Sequence, residues 1–340
     1  MIRQEGNRLG SISAVVLAAG EGKRMKSALP KVLHPCCGRP LIDYILQSAA
    51  SLTTDIVLVV GHGASLVKDQ LGDRWRYALQ EEQLGTGHAV MQAIPLLPRE
   101  GLLLVLCGDT PLIDELILKQ LADAGRQVAA TVATTVVPNP EGYGRVIRDS
   151  LGLIDKIVEE RDATEAEKSI CEINSGTYSF DLKQLRYYLP LLSNNNDQQE
   201  YYLTDLVAMM RADGLQVNAL VIDDYRKGLG INDRVQLAEA ATLIRSEINR
   251  KLMQQGVTIE DPASTWIDSG VTIGPDTVIR PNCVIESGTV IGVSCQIGPG
   301  VHLKRAEIGD RVSISYAVVE KSVITGDSRV EPFTRIYPAP

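Results

Sequence analysis

The sequence predicts a doubly wound α/β domain followed by a parallel β-helix, and three observations predict it. Short, near-continuous apolar runs that end in glycine alternate with amphipathic stretches through residues 12 to 230. One long amphipathic stretch follows. Beyond about residue 260 a branched aliphatic residue returns at every sixth position. Strand alternating with helix is the pattern of a sheet covered on both faces. A hexad of aliphatic and small residues is the pattern of a coil of very short strands.

In chain order, "ISAVVLAAG", "DIVLVVG" and "GLLLVLCGD" read as parallel strands buried on both faces, because none alternates with polar residues. Between them "PLIDYILQSAASL" and "TGHAVMQAIPLL" place apolar residues at helical spacing, and "VAATVATTVVP" and "INSGTYSFDL" read as further strands. "DRVQLAEAATLIRSEINRKLMQQG" predicts a connecting helix whose apolar stripe is Leu237, Ala241, Ile244, Ile248 and Leu252. The hexad runs through Ile267, Ile273, Ile279, Ile285, Ile291, Ile297 and Leu303, with small residues Val271, Thr277, Cys283, Thr289, Cys295 and Val301 four positions after each of the first six. Its register breaks near "KRAE" and resumes at Ile324, Val330 and Ile336, leaving room for about four coils. The expected boundaries are 1–233 for the first domain, 234–260 for a linker helix and 261–340 for the coil.

Composition narrows the function classes. The 340 residues carry 34 Lys plus Arg against 42 Asp plus Glu, a formal net charge of −8, so a nucleic-acid partner is not expected. No apolar run approaches a membrane span, and "MIRQEGNRLGSISA" lacks the apolar segment of a secretory leader. Six cysteines without paired spacing, in a chain this long, read as reduced thiols of a cytosolic protein.

Against that acidic background, "LAAGEGKRMKSALPKVL" is a local cationic device. It follows the first strand, and a glycine loop lets backbone amides approach a phosphate chain. It matches neither a dinucleotide fingerprint nor a Walker loop, and such a loop is often only a tight turn. Arg24 and Lys31 tip the reading toward phosphate binding. Asp109 in "LCGDTPLI" ends an apolar strand, where an ionised carboxylate calls for a partner. A Mg²⁺ ion bridging phosphates would be one, and a helix cap is the other reading, left open by the sequence. Gln80 and Gln83, before Gly85-Thr86-Gly87, suit a nucleobase edge or an ordinary loop. Gly144, Glu159 and Asn174 could meet sugar hydroxyls, or form turns and solvated faces.

In their order, "LAAGEGKRMKSALPKVLHPCCGRPLIDY", "LQEEQLGTGHAV", "GDTPLI", "GYGRV", "IVEERDA", "EINSGTYSF", "NNNDQQEYYLTDLV" and "GIND" resemble the bacterial N-acetylglucosamine-1-phosphate uridyltransferases, and the hexad tail does too. The resemblance implies a Rossmann-like nucleotidyltransferase domain of the GT-A type and a left-handed coil. It also implies a Mg²⁺-dependent reaction of UTP with N-acetylglucosamine 1-phosphate, giving UDP-N-acetylglucosamine for cell-wall precursors and pyrophosphate, in a cytoplasmic homotrimer. By the same resemblance Leu17, Ala18, Ala19 and Gly20 form the nucleotide loop. Arg24 and Lys31 hold phosphates, and Gln80, Gly85 and Thr86 meet uridine. Asp109 and Asn232 hold the metal, while Gly144, Glu159, Asn174 and Asn232 meet the sugar. Cys107 stands where the family commonly has Tyr, Ile231 where it has Val, and Arg161 where it has Lys. Relatives continue into further coils that carry an acetyltransferase site, so that second activity is not expected from these residues. The competing readings are a glucose-1-phosphate uridylyl- or thymidylyltransferase, a hexapeptide acyltransferase, and a non-catalytic scaffold.

Overall fold

The computed structural model describes residues 11–338, so most of the segment searched for a leader lies outside the described residues. The chain divides into two compact units. One is the chain up to His34 together with Pro40–Asp233, and the other is Pro35–Arg39 together with the chain from Arg234 onward.

The first unit is built on a nine-stranded sheet. Its central strands are the three apolar runs. Ile12–Ala18 lies between Leu102–Cys107 and Ile56–Val60, parallel to both, with Leu17 opposite Cys107 on one side and Val59 on the other. Val15, Val57 and Val105 enter one core, while Val16, Leu58 and Leu104 enter a second core on the other face. Two covered faces explain why these strands are apolar at consecutive positions. Arg76–Leu79 extends the sheet beyond Ile56–Val60, and Val217–Val221 closes the other edge beside Ala130–Val136. These edge strands are short and partly exposed, so they leave little trace in the sequence.

Glu172–Asp181 departs from the parallel pattern. It lies antiparallel between Leu102–Cys107 and Ala130–Val136. Alternation reads the same in either direction, so the sequence does not reveal the reversal. Its pairing shifts between Asn174 and Thr177, around Gly176 at φ +75. An irregularity of this kind bends a strand and re-aims its side chains. A hairpin of Arg145–Arg148 and Ile154–Val158 hangs on this strand through Arg145 and Ile173.

In the second unit, the helix Arg234–Gln254 buries Ile244 and Leu252 of the predicted stripe. Ala240, Arg245 and Asn249 join them, while Leu237, Ala241 and Ile248 are half-buried. The buried nitrogens of the polar members have partners, while Asn249 Oδ1 is buried without one. The Arg245 guanidinium lies 4.0 Å over the Trp266 ring, and Asn249 Nδ2 donates to the carbonyls of Pro262 and Thr265 at 3.2 and 3.3 Å.

The coil has three parallel sheets of five, five and four strands, starting at Thr258–Ile259. Ile267, Ile285, Leu303, Val319 and Ile336 stack along one wall, while Ile273, Ile291, Ile308 and Ile324 stack along another. Thr277, Cys283, Thr289 and Cys295 are fully buried at the corners. The six-residue register does slip at "KRAE", but the coil runs on through it rather than resuming at Ile324. Ile308, Ile314 and Val319 carry the interior positions through it, and the steps onto Ile308, Val319 and Ile324 are five residues rather than six. The coil tightens: Ile285 pairs with Leu303 eighteen positions on, Ile291 with Ile308 seventeen on, and Ile308 with Ile324 sixteen on.

Candidate active site

Doubly wound sheets gather ligands at the carboxyl ends of their strands, and the predicted residues converge there. The Leu17 carbonyl accepts from Gly108 N at 2.9 Å, and the Ala19 carbonyl accepts from His62 N at 3.3 Å, which fixes Leu17, Ala18 and Ala19 against the neighbouring strand ends. Gly20 faces open space. Gly22 must be glycine: its φ is +65, and a Cβ would sit 2.7 Å from Lys31 Cβ. The loop thus doubles back on itself. A single turn at Lys23–Met25 buries Met25 and leaves Lys23 and Arg24 outside, and a second at Lys31–Leu33 buries Val32 and Leu33.

The Lys31 ammonium donates to Asp109 Oδ2 and, at 3.0 Å, to Asn232 Oδ1. Lys31 and Asp109 keep only 14% and 18% of their side-chain surface, so the pair is shielded from water. Asp109 is not a helix cap. Asp114 takes that role, accepting from Ile117 N at 3.0 Å. The Asp109 carbonyl instead accepts from Ile231 N at 2.9 Å, and Asn232 Nδ2 donates to Gly230 O at 3.3 Å. Those bonds turn the Asn232 carbonyl oxygen toward the ammonium. The result is one cation held between two hard oxygen donors.

Around this centre, burial, with Asp109's charge second, pushes the Cys107 thiol up to about 12. Cys107 is therefore a neutral thiol, donating to Gly176 O at 3.3 Å. Burial first, and Asp109 next, also push the Tyr143 hydroxyl up, while Arg24 opposes the shift. Tyr143, Arg24 and Asp109 therefore share one electrostatic neighbourhood. Arg24 is exposed, and no described residue forms an ion pair with it. Sequence reasoning took Gly144 from "YGRV" and missed Tyr143. A tyrosine beside a glycine was its only signal.

The second group is Gln80, Gly85 and Thr86. Gln80 is 3% exposed, and its Nε2 lies 3.1 Å from Gly85 O. Gly85 has φ +100, and a Cβ there would press to 2.7 Å from Tyr201 O. Gly87 N donates to that same oxygen at 2.8 Å, and Thr86 Oγ1 accepts from Leu203 N at 3.1 Å. The Thr86 hydroxyl thus braces the loop from inside. Gln83 is exposed and donates to the Gln80 carbonyl at 3.2 Å.

The third group is Gly144, Glu159 and Asn174. The Gly144 carbonyl accepts from Asn174 N at 2.9 Å, and a Cβ on Gly144 would lie 3.4 Å from Glu159 Oε2. Glu159 Oε1 accepts from Thr204 Oγ1 at 3.0 Å, and burial raises its carboxyl above the ordinary range against that bond. Asn174 Nδ2 donates to the Tyr178 hydroxyl at 2.6 Å, and its Oδ1 accepts from Gly176 N at the strand irregularity. Residues 200–204 touch both flanking groups, because Glu200 and Tyr201 pack on Gly85 while Thr204 reaches Glu159. The sequence marked this stretch as a motif without singling out Tyr201 or Thr204. A cavity of 380 Å³ lined by Ser11, Gly101, Arg126 and Asp181 sits at the opposite end of the Leu102–Cys107 strand, away from these groups.

The chain is similar to known proteins over most of its length. Residues 14–169 match the MobA-like NTP transferase domain, and residues 264–339 match the GMPPB C-terminal domain. The chain is 49% identical over 331 residues to the bifunctional protein GlmU of Geobacillus thermodenitrificans, covering 96% of this chain and 72% of that protein. The GlmU proteins of Acetivibrio thermocellus and Enterococcus faecalis are 49% and 45% identical with the same coverage. Among solved structures, one described as a glucose-1-phosphate thymidylyltransferase from Bacillus anthracis superposes with a TM-score of 0.56 at 20% identity. It covers 68% of this chain and 95% of its own, a likeness of fold.

Proposed function

The chain belongs to the family of bifunctional GlmU proteins, and on that premise we infer how its own residues run the reaction. It is a nucleotidyltransferase that makes UDP-N-acetylglucosamine and pyrophosphate from UTP and N-acetylglucosamine 1-phosphate. Its architecture is a Rossmann-like nucleotidyltransferase domain followed by a left-handed parallel β-helix. The observation that carries the assignment of the site is the Lys31 ammonium between Asp109 and Asn232.

A sugar phosphate is already an anionic nucleophile, so no general base is required. The chain's task is to bring two anions into line and offset charge on the departing pyrophosphate. Lys31 and Arg24 do this from the loop after the first strand. Lys31 rests on Asp109 and Asn232 and has to leave those oxygens to reach phosphate, whereas Arg24 is exposed and free to close on the triphosphate. Gln80, Gly85 and Thr86 hold the base. Gly144, Glu159 and Asn174 hold the sugar, with Glu159 offering an acceptor to hydroxyl or amide groups.

The donor set fits Mg²⁺. An ammonium already stands in for a cation between a carboxylate and an amide oxygen, and Mg²⁺ commonly takes one or two protein oxygens with phosphate oxygens and water. Asp109 and Asn232 would hold the ion. The chemistry supplied by a bound ion would be neutralisation of the charge that develops on the phosphates. Among the described residues no cluster of three or more His, Cys, Asp or Glu side chains offers another metal cage.

The protein acts in the cytoplasm as a homotrimer, in this reading. Val290 and Val323 stand 48% and 66% exposed on one outer wall of the coil, which supports packing between copies. Among the described residues no helix is long and apolar enough to cross a membrane. Pyrophosphate release across four nucleoside triphosphates and several sugar 1-phosphates tests the reading. UTP with N-acetylglucosamine 1-phosphate should give the highest kcat/KM, and a preference for glucose 1-phosphate would replace the assigned sugar.

A further inference from the structure

We propose that His88 is a positioning residue that fixes which end of the Gln80 carboxamide faces the nucleobase, and so sets a preference for uracil over cytosine. The proposal rests on the uridyltransferase reading above. Gln80 Nε2 lies 3.1 Å from Gly85 O and 3.2 Å from His88 Nδ1. A backbone carbonyl only accepts, so the end of the amide on Gly85 must be the amino group. Its second hydrogen then points at His88 Nδ1, which must supply a lone pair. The remaining polar atom, Gln80 Oε1, takes no hydrogen bond from any described residue, although Gln80 is only 3% exposed. It is not among the enclosed unpartnered atoms, so the small exposed part of this side chain includes Oε1, and that acceptor is left for a ligand.

Uracil N3 carries a hydrogen and donates, whereas cytosine N3 is an acceptor. An amide held with Oε1 outward takes the uracil hydrogen and repels the cytosine lone pair. Turned over, the same side chain would present donors and favour cytosine. Gly85 O and His88 Nδ1 are the two contacts that prevent the turn.

The tautomer of His88 follows from its other neighbour. Gln92 Nε2 lies 3.1 Å from His88 Nε2 and 3.2 Å from the His88 carbonyl. A neutral imidazole has one N–H, so its two nitrogens cannot both accept. Each amide also holds a backbone carbonyl, and burial is what separates them: Gln92 is half-buried, so it can give up the His88 carbonyl to water and offer Oε1 to a His88 Nε2–H. Gln80 is 3% exposed, so turning it would set its carbonyl oxygen against Gly85 O with no water to take up the lost bond. The assignment is therefore Nε2–H on His88, with Nδ1 accepting from Gln80. The His88 ring is steadied further by Tyr201, whose ring centroid lies 6.3 Å away.

The test combines nucleotide kinetics with nitrogen NMR of the chain's four histidines. His88→Ala should raise KM for UTP more than it lowers kcat, and should shrink the UTP-over-CTP ratio of kcat/KM roughly severalfold, as the amide keeps Gly85 O as its one anchor and loses the other. His88→Asn places Oδ1 near the lost Nδ1 and should recover most of that ratio. In the substrate-free protein, His88 should be neutral with its hydrogen on Nε2. A folded His88→Ala enzyme whose UTP-over-CTP ratio is unchanged would overturn the proposal. So would an Asn variant no better than the Ala variant, or an Nδ1–H tautomer. A wild-type protein inactive on UTP would count against the reaction, and the tautomer, read without substrate, would still decide the amide's orientation.

Discussion

The sheet domain and the coil solve the problem of placing side chains in opposite ways. In the sheet domain Lys31 meets Asp109 across 78 positions and Asn232 across 201, and the site exists only because strand ends bring distant segments together. In the coil Ile285 meets Leu303 one turn on, and the same contact repeats along the wall. The first design concentrates chemistry in a few irreplaceable groups. The second spreads stability over many similar ones. Substitutions in the two regions should therefore damage different properties, and the contrast can be broken or sharpened by measuring both.

The largest effect is expected at the phosphate loop. Lys31→Ala should lower kcat on the order of 10²-fold or more, as removal of a transition-state donor does. Arg24→Ala should follow in the same direction. Arg24→Ala should leave the thermal transition nearly in place, because its side chain is exposed, whereas Lys31→Ala leaves the shielded Asp109 carboxylate without its ammonium and should lower the transition. Unchanged kcat in both variants would reduce the loop to a solvated surface.

Ile285→Ala should do the reverse. Its side chain is fully buried, and its loss should cost about 2–5 kcal/mol as a cavity opens in the wall. Urea unfolding should show the loss, while pyrophosphate release in the absence of urea persists. A variant as stable as wild type would show that neighbouring coils refill the space, and one that is folded but inactive would end the separation of roles.

A smaller effect is expected at Glu159. Burial raises its carboxyl above the ordinary value of 4.5, so just above that pH the folded state holds a proton that the unfolded state has released. Stability should fall as pH rises from 4.5 through the raised folded value, and the cost is fully present above it. Glu159→Gln keeps an oxygen for Thr204 and removes that slope, so it should gain stability relative to wild type as pH rises above the ordinary value of 4.5. A difference that stays constant with pH would contradict the assignment.

The smallest effect is at Glu167, whose carboxyl is lowered to about 2 by the Lys156 ammonium and then by the backbone and hydroxyl of Thr164. A lowered carboxyl stabilises fully above its ordinary value of 4.5 and loses that contribution as pH falls through about 2. Glu167→Gln should therefore be slightly less stable than wild type at neutral pH, with the gap closing in acid. The group is near the surface, so solvent screens most of the gain. A gap that widens in acid would reverse the sign.

What could be read in the sequence divides along the same line. The central strands were legible because burial on two faces leaves no polar alternation, as in "DIVLVVG". The coil was legible because its contacts repeat, and the apparent break at "KRAE" is a change in turn length that a fixed period cannot follow. Lys31 and Asp109 stood out as a cation and an anion at strand ends. Asn232 carried no signal of its own, since an amide in "GIND" is an ordinary loop residue until the Ile231–Asp109 bond draws it in. The reversed direction of Glu172–Asp181 and the bond between Thr204 and Glu159 were equally silent. Each depends on tertiary placement rather than on local pattern.

The central claim is that Lys31, Asp109 and Asn232 form the nucleotidyl-transfer centre. The most direct measurement is pyrophosphate release from UTP and N-acetylglucosamine 1-phosphate by Asp109→Asn across a Mg²⁺ titration, with thermal unfolding followed in parallel. The variant keeps the shape of the side chain and the backbone bond from Ile231, and removes the charge. The account predicts a folded protein with turnover reduced on the order of 10²-fold or more, which higher Mg²⁺ restores only in part. A folded Asp109→Asn protein with wild-type turnover and unchanged Mg²⁺ dependence would contradict it.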